Sequence, residues 1–367
     1  MSKQKIPFRS WCEIDESALQ HNLAVIRTHI GLRPQIMCLV KADAYGHGLK
    51  PLAQFFQQAD CQMLGCACLQ EALLIRQAKV RLPILLLSPP LKSEIPEIVR
   101  QGFIMTLSSL AEAETLKGEA LKQRKKARCH IKFNTGMNRL GVDAEQLIQL
   151  FSYVQEAPAL KLEGFYSHYA CADSDPAMTK EQWKRFSAIQ TPELLRHMDN
   201  SAGLFGQPDS FCDMVRPGIA VYGISPFPRF QKQLRPALSW KARITFIKEV
   251  ARGATLSYGA TFRAPKKMLI ATVAVGYGDG LFRSLSNNGK VLVNGKRCPI
   301  VGRVTMDQLL IDISRAGTVE NEAEVVLIGN QKKESILASE MAQDAGTIPY
   351  EIWCHITDRV PKVYLNS

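Results

Sequence analysis

Hydrophobic and polar positions follow two different patterns along the 367 residues of this chain. In the first part, short apolar runs alternate with stretches whose apolar residues recur at nearly helical spacing, such as SALQHNLAVIRTHI (17–30). The eight apolar runs are IMCLVKAD (36–43), MLGCACL (63–69), PILLLS (83–88), FIMTLS (103–108), CHIKFNTG (129–136), LEGFYSH (162–168), LLRHMDNSAG (194–203) and MVRPGIAVYG (214–223).

Most of these runs are too continuously apolar to leave one face in water, so they predict a parallel sheet covered by helices. Eight such repeats favour closure into a barrel. A doubly wound open sheet alternates in the same way, but no GxGxxG motif follows the first strand. We therefore predict an α/β fold with a (β/α)8 TIM-like barrel over residues 12–234.

After about residue 235 the pattern changes to closely spaced strands separated by Gly, Asn and Pro turns. The strand-like segments include SWKARITFIKEV (239–250), MLIATVAVGYGDG (268–280) and EVVLIG (324–329). Few helical periods fit between them. This region, residues 235–367 together with 1–11, is predicted to form a separate, mostly antiparallel β domain.

Composition narrows the class of protein. The net charge is +12, but the basic block KQRKKAR (122–128) lacks interleaved aromatic residues, which favours a solvated surface over a nucleic-acid site. The ten cysteines include no CxxC pair, so neither a disulfide framework nor structural zinc is expected, and no metal is predicted. The N-terminal stretch has no apolar core of a signal peptide and no run is long enough to span a membrane, so we expect a cytoplasmic protein.

Candidate chemistry begins at Lys41, which follows the first apolar run. A lone lysine at a strand end usually extends into solvent. If it is buried instead, its pKa falls and its amine becomes nucleophilic, as in a Schiff-base lysine. The neighbours in KADAYGHG (41–48) favour the second interpretation, because Tyr45 lies close by and Gly46 and Gly48 permit a tight turn.

Other polar groups follow later strands and are expected at the same end of the barrel. They are Arg139 in NTGMNRLG, His168 in FYSHYA, Ser201 in DNSAG and Arg216 in VRPGIAVYG. The backbone N–H groups of Gly218 and Ile219, with Ser201, are suited to hold a phosphate. Taken singly, each has an ordinary explanation as a capped turn, a core histidine or a surface arginine.

Taken together, these segments make the chain similar to the alanine racemase family, pyridoxal-phosphate enzymes with a barrel followed by a β domain. The motifs that carry the resemblance cover both domains in order. They are VKADAYGHG, KFNTGMNRLG, SHYA, NSAG, MVRPGIAVYG, LSYGATF, VAVGYGDG, VGRVTMDQ and RVPKVY. The resemblance implies interconversion of L- and D-alanine, supplying D-alanine for peptidoglycan, by a homodimer with shared active sites and no nucleic-acid or membrane partner.

The resemblance also assigns roles to residues. Lys41 would carry pyridoxal 5'-phosphate as an internal aldimine and act as one base, and Tyr258 of the partner subunit would be the other. The implied cofactor contacts are Lys41, Tyr45, Arg139, His168, Ser201, Arg216, Gly218 and Ile219. The substrate carboxylate would meet Arg139 and the backbone N–H of Met306 from the partner, with Asp307 beside it. Lys132 matches a position that is carbamylated in some members.

One position departs from the family pattern. Where some members carry a further phosphate-binding tyrosine just before RVP, this chain has Asp358. A carboxylate there would repel phosphate, so we leave Asp358 out of the site and consider Tyr364 as a substitute.

Three other functions fit parts of the pattern. A barrel-type amino-acid decarboxylase shares the cofactor lysine, but it carries a catalytic cysteine motif and a glycine-rich phosphate loop, whereas no cysteine accompanies SYGATF or TMDQ here. A racemase of broad specificity is a closer alternative, although its periplasmic members would need a signal peptide. A non-catalytic pyridoxal-phosphate carrier resembles the barrel alone and lacks a β domain with Tyr258.

Overall fold

The computed structural model of the chain describes residues 8–191, 193–206 and 211–365. These residues form two compact units. The barrel unit consists of residues 19–44 and 48–235, and the β unit consists of residues 8–18, 45–47 and 236–365. Residues 12–18, which the sequence placed in the barrel, lie in the β unit because strand β1 (Ser10–Asp15) pairs there with the strands Leu238–Val250 and Lys362–Leu365.

The barrel unit contains the predicted closed parallel barrel, so the predicted fold class is confirmed. Its eight strands are β2 (Gln35–Leu39), β3 (Met63–Cys66), β4 (Ile84–Leu86), β5 (Ile104–Leu107), β6 (Ala127–Lys132), β7 (Leu160–Tyr166), β8 (Leu195–His197) and β9 (Met214–Val215). Closure is made by β2 and β9, where Ile36 is paired with Val215. Every position of β3, β4 and β5 is buried, as expected for strands covered on both faces.

Helices connect the barrel strands. Those between β1 and β9 are α1 (Glu16–Ile30), α2 (Lys41–Gly46), α3 (Leu49–Gln58), α4 (Leu69–Gln77), α5 (Ile95–Gln101), α6 (Leu110–Lys122), α7 (Ala144–Gln155), α8 (Pro176–Ser187) and α9 (Ser201–Gly206). Local signals set their ends. The Ser109 side chain accepts the Glu112 N–H at 3.2 Å where α6 begins, and α5 ends at Gly102 in the left-handed region.

The β unit is mostly antiparallel, as predicted. Its remaining strands are β10 (Leu238–Val250), β11 (Thr255–Leu256), β12 (Phe262–Arg263), β13 (Met268–Val273), β14 (Lys290–Val293), β15 (Lys296–Pro299), β16 (Leu309–Asp312), β17 (Glu324–Gln331), β18 (Glu334–Ile336) and β19 (Lys362–Leu365), with helices α10 (Ala338–Ala345) and α11 (Pro349–His355). The main sheet runs in the order β15-β14-β17-β10-β1-β19, and only the β1–β19 pair within it is parallel among the described strands.

Strand β10 organises the β unit, since β1, β13 and β17 all pair with it. Its first seven residues alternate between buried and partly exposed positions, the pattern of a strand with one face on a core. Helices of the described ranges are all too short or too polar to cross a bilayer.

Candidate active site

A cavity of about 290 Å³ lies at the carboxyl ends of the barrel strands. Its polar lining residues are Lys41, Lys132, Arg139, Tyr166, His168 and Arg216, together with Ser88. Lys132 and Tyr166 are the last residues of β6 and β7, and Arg216 directly follows β9. Four of the lining side chains are basic and none of the described ones is acidic, so the cavity is suited to an anionic ligand.

Lys41 does not end a strand, as the sequence suggested, but begins α2, two residues after β2 ends. The residues that follow it have positive φ, from 51° at Ala42 to 76° at Gly46, so α2 is a left-handed turn. Each L-residue in this conformation costs roughly 1–2 kcal/mol. Two features support the turn: the Gly48 N–H donates to the Asp43 carbonyl at 2.8 Å, and the Asp43 carboxylate accepts the Leu49 N–H at 2.7 Å.

Arg216 is the most deeply buried cation of the site, with 1% of its surface exposed. Its guanidinium donates to two ring nitrogens, His197 Nδ1 at 2.7 Å and His168 Nδ1 at 3.0 Å. It also donates to the carbonyls of Ser167 and Met198, at 2.7 and 3.0 Å. An arginine is charged at every accessible pH, so both imidazoles must be acceptors at Nδ1 and carry their proton on Nε2.

The same conclusion follows from the electrostatics of the two histidines. Burial, followed by the charge of Arg216, holds the pKa of His168 and of His197 well below the usual range. Both rings are therefore neutral near pH 7.

This proton arrangement continues into the barrel core. His197 Nε2 lies 3.0 Å from His130 Nδ1, so the Nε2 proton of His197 is donated to His130. The ring of Tyr166 stacks on His197, with centroids 4.6 Å apart. Burial lowers the pKa of His130 to about 3, and its Nε2 has no hydrogen-bond partner among the described residues. His130 and His197 are both neutral, and the hydrogen bonds from Arg216 to His197 and from His197 to His130 therefore fix the orientation of the guanidinium from the barrel core.

Lys132 is buried between cations. Burial, followed by the charges of Arg216 and Arg139, lowers the pKa of Lys132 to about 7. Its Nζ lies 5.3 Å from the centroid of the Tyr166 ring, whose hydroxyl is 2.7 Å from Thr106 Oγ1. A substantial fraction of this amine is thus neutral at neutral pH, which makes it reactive toward electrophiles.

The predicted phosphate site is partly rearranged. The Ser201 Oγ accepts the N–H groups of Gly218, at 3.0 Å, and of Ala220, at 3.3 Å. The Gly218 N–H was predicted to be free for a phosphate, whereas here it is bonded to Ser201. Because the Ser201 oxygen accepts twice, its own hydrogen points elsewhere and can be donated to a ligand. Ser201 and Ile219 are both buried.

The β unit carries the other predicted residues. Tyr258 is 72% exposed and begins a short turn over Tyr258–Ala260. The preceding residue, Ser257, has φ 62° and ψ −177°, a conformation that non-glycine residues rarely adopt, and its hydroxyl donates to the Arg303 carbonyl at 2.7 Å. The turn is therefore strained and held by its own backbone contacts.

Met306 and Asp307 lie on a neighbouring loop of the β unit. Met306 is 53% exposed, and its carbonyl accepts the Gly278 N–H at 2.8 Å. Asp307 pairs with Arg359 at 2.8 Å, and Arg359 also contacts Asp279 at 3.3 Å. A Cβ at position 276 would lie 2.2 Å from the Thr305 carbonyl, so only glycine lets this loop approach so closely.

Tyr45 is also part of the β unit, where its ring packs 5.9 Å from that of Tyr350. Burial raises the pKa of Tyr45, so its phenol stays protonated. The Tyr364 hydroxyl, considered as a replacement phosphate ligand, donates to the His47 carbonyl at 3.0 Å. Asp358 is exposed.

Comparison with known proteins shows the family to which this chain is similar. The family model for the alanine racemase N-terminal domain matches residues 14–226, and the model for the C-terminal domain matches residues 237–364. The chain belongs to the alanine racemase family. It is accordingly an enzyme of that family.

Individual alanine racemases are similar over nearly the whole chain. The alanine racemase of Methylacidiphilum infernorum is 41% identical over 358 residues, which cover 97% of this chain and 92% of that protein. That of Halothermothrix orenii is 39% identical and covers 99% of each chain. The crystal structure of the Streptomyces lavendulae alanine racemase has a TM-score of 0.92 at 32% identity, covering 99% of this chain and 98% of its own. That of Bacillus anthracis, with bound L-Ala-P, has a TM-score of 0.90 at 35% identity, covering 98% and 96%.

Three residues of the site, all on barrel strands, were not predicted from the sequence. His130, His197 and Tyr166 lie on barrel strands that also carry other polar residues, such as Lys132 on β6 and Glu163 on β7, so the strand sequences do not single them out. All three side chains are buried and linked to Arg216: His197 accepts from its guanidinium, the Tyr166 ring centroid lies 5.3 Å from its Cζ, and His130 accepts from His197.

Proposed function

We propose that the chain interconverts L-alanine and D-alanine, with pyridoxal phosphate bound in the barrel unit, and so supplies D-alanine for peptidoglycan in the cytoplasm. The observation that carries the proposal is the cavity at the strand ends. It joins a lysine amine to three further cations and places a fully buried arginine against two neutral histidines.

The donor set of the cavity fits pyridoxal phosphate. The cofactor is an anionic aldehyde, and the cavity offers an amine at Lys41 for the aldehyde and an all-basic charged lining for the anion. Arg139, His168 and Arg216 would hold the ring, and the Ser201 hydroxyl and the Ile219 N–H would hold the phosphate, because the Gly218 N–H is already donated to Ser201. Tyr45 is proposed as a further phosphate ligand on the family resemblance alone. When bound, the cofactor withdraws electrons from the amino acid and acidifies its Cα hydrogen.

Two bases would then exchange protons at Cα. Racemisation requires removal of the proton from one face and return of a proton to the other. We assign the Lys41 amine to one face and the phenol of Tyr258 of the partner subunit to the other. A tyrosine that is 72% exposed on its own subunit is available for such a shared site, which supports a homodimer.

Arg216 is central to the choice of reaction. Many pyridoxal enzymes place a carboxylate against the pyridine nitrogen to keep it protonated. Arg216 cannot accept that proton, because its charge is permanent and its four acceptors already fix it. With a weaker electron sink, negative charge at Cα would be short-lived and return of a proton there would be favoured over transamination.

The remaining residues would orient the substrate. Arg139 and the backbone N–H of Met306 of the partner subunit are assigned to the alanine carboxylate, with Asp307 beside Met306. Lys132 is a candidate for carbamylation, which requires a neutral amine, and its lowered pKa of about 7 supports that assignment. A carbamate would add a negative charge among Arg139, Arg216 and Lys41.

A racemisation assay over small L-amino acids, with and without added pyridoxal phosphate, tests the proposal. We expect turnover of L-alanine, weaker turnover of L-serine, since a pocket rejects an added hydroxyl poorly, and dependence on the cofactor. Comparable turnover of large amino acids would indicate a broad-specificity racemase instead. Release of carbon dioxide without racemisation would indicate a decarboxylase.

A further inference from the structure

Gln182 is a buried amide of the barrel unit to which the proposed reaction gives no role. It lies on α8 and is 1% exposed. Its Nε2 donates to the Thr135 hydroxyl at 3.1 Å and to the His168 carbonyl at 3.0 Å, and its Oε1 accepts the Ala170 N–H at 2.9 Å. A backbone N–H only donates and a carbonyl only accepts, so these contacts fix the orientation of the amide and engage both of its hydrogens.

The first loop that Gln182 binds, residues 133–143, joins β6 to α7 and carries Arg139. The Asn134 N–H donates to the Val142 carbonyl at 2.9 Å and closes the base of this loop. Arg139 lines the cavity but is exposed, so the position of its guanidinium depends on where the loop backbone lies. The bond to the Thr135 hydroxyl attaches that backbone to α8.

The second loop follows β7 and carries His168. Two of its groups hold Arg216, since the Ser167 carbonyl and His168 Nδ1 both accept from the guanidinium, at 2.7 and 3.0 Å. The amide of α8 binds this loop through the His168 carbonyl and the Ala170 N–H. The Thr135 hydroxyl also lies 2.7 Å from the Ser167 hydroxyl, so the two loops are joined directly as well.

From these contacts we infer that Gln182 is a positioning residue that holds the loop of Arg139 against the loop of His168. The cation assigned to the alanine carboxylate thereby keeps a fixed separation from the imidazole bonded to Arg216. Within the described residues, Gln182 does not line the cavity, so it acts through the two loops and not on the reacting atoms. The inference rests on the proposed function where it concerns the substrate carboxylate.

Hydrogen exchange of the full chain, measured by mass spectrometry of its peptides, tests the bridge itself. Gln182→Met nearly keeps the length of the side chain and removes all three hydrogen bonds. We expect exchange to accelerate by roughly 10-fold or more in both loops, residues 134–140 and 168–171, since a lost hydrogen bond lowers their local stability. Unchanged exchange in both loops would overturn the inference.

Thr179→Val is the matched control for removing a buried polar group from α8. Its hydroxyl donates to the Asp175 carbonyl of the same helix end at 2.7 Å, and at 3.5 Å to the Cys171 carbonyl. It contacts neither the Arg139 loop nor the backbone of His168 among the described residues. We expect exchange in residues 134–140 and the kinetics of this variant to match the wild type.

Steady-state kinetics separate positioning from a contribution to stability alone. A shift of about 1 Å in a positioning group can cost up to about 10²-fold in rate, so Gln182→Met should lower kcat/KM for L-alanine by roughly 10- to 100-fold. Loosened loops with unchanged kinetics would overturn the inference, because Gln182 would then serve only stability.

A pair of smaller variants decides the question even if Gln182→Met does not fold. Thr135→Val removes the link between Gln182 and the Arg139 loop, and Ser167→Ala leaves that link intact. We expect Thr135→Val to raise KM by roughly 5-fold or more with kcat changed less than about 2-fold, the pattern of lost substrate binding, and Ser167→Ala to raise KM less. Equal KM values in the two variants would overturn the inference.

Acetate provides a measurement that needs no turnover. It carries the carboxylate assigned to Arg139, and its affinity for the cofactor-loaded protein can be measured by calorimetry. We expect Thr135→Val to weaken acetate binding by roughly the same factor as it raises KM, and equal affinities would overturn the link to the site. A wild type that does not racemise alanine would count against the proposed function, while hydrogen exchange and acetate binding would still decide the role of Gln182.

Discussion

Arg216 in the barrel unit and Tyr258 in the β unit differ greatly in exposure, at 1% and 72%. The guanidinium is held by four hydrogen bonds to groups of its own unit. The tyrosine is placed by the backbone of a strained turn, in which Ser257, Gly259 and Ala260 all have positive φ.

The difference shows two ways in which the structure fixes the position of a reactive group. Arg216 is preorganised by packing and fixed proton positions, so changes around it should alter stability and chemistry together. Tyr258 is preorganised only by its main chain, and its electrostatic surroundings must come from whatever covers the turn. Changes at Tyr258 should therefore affect chemistry and leave the fold intact.

The largest effect is expected at the cavity itself. Lys41→Ala should lower racemisation by roughly 10⁴-fold or more, because it removes the residue proposed both to anchor the cofactor covalently and to transfer one of the protons. Circular dichroism of the alanine product measures the rate, and borohydride reduction followed by mass spectrometry should no longer fix the cofactor to the chain. Lys50→Ala, an exposed lysine on α3, serves as the control. Cofactor still fixed in the Lys41 variant would contradict the assignment.

Tyr258→Phe tests the exposed half of the comparison. We expect a loss of activity of roughly 10²- to 10⁴-fold, the usual worth of a proton-transferring group, with the free energy of unfolding changed by no more than about 0.5 kcal/mol. Mixed dimers of this variant with Lys41→Ala should regain activity, since one of their two sites would be intact. If subunit exchange is demonstrated and no activity returns, the site is not shared.

His197→Ala tests the buried half. It removes the acceptor of one Arg216 hydrogen bond and the donor to His130, and leaves a cavity under Tyr166. We expect the free energy of unfolding to fall by about 3 kcal/mol, measured by urea titration of the holoenzyme. A change as small as that of Tyr258→Phe would mean that the network does not stabilise the barrel.

Lys132→Met addresses the pH dependence of the barrel unit. Since the pKa of Lys132 falls to about 7 on folding, the unfolded chain binds a proton above that pH that the folded chain does not, and stability should rise from pH 7 towards 10. The stability of the variant relative to the wild type should be greatest at pH 6 and should fall by roughly 4 kcal/mol between pH 6 and pH 10. Urea titrations in carbon-dioxide-free buffer measure it. A constant difference across this range would show that Lys132 titrates normally.

The smallest effect is expected in the left-handed turn α2. Ala42→Gly removes the steric cost of positive φ at an exposed residue and should stabilise the protein by about 0.5–1 kcal/mol. Ala24→Gly, at an exposed position of the right-handed helix α1, should instead destabilise by about 1 kcal/mol. Thermal unfolding distinguishes the two, and the same sign for both would argue against the left-handed turn.

The barrel was predictable because several of its strands, β4 and β5 among them, are buried on both faces, so they lie in continuous apolar runs such as PILLLS and FIMTLS. The rim residues were predictable because polar groups that follow such runs must gather at one end. The conformation of α2 was not, since alanine and aspartate at positions 42–44 give no local preference for positive φ.

The pairing of β1 also has a consequence for the order of folding. Its partners are β10 and β19, with Cys12 opposite Trp240 and Lys362. At about 5–20 residues per second, the ribosome needs on the order of 20–70 s to add β19 after making β1. During that time β2 to β9 can emerge and close before β10 is made and pairs with one edge of β1, and the other edge stays unpaired until β19 follows. Strand β1 therefore completes its pairing only when β19 is made, and we expect a nascent-chain chaperone or a pause late in translation to influence this step.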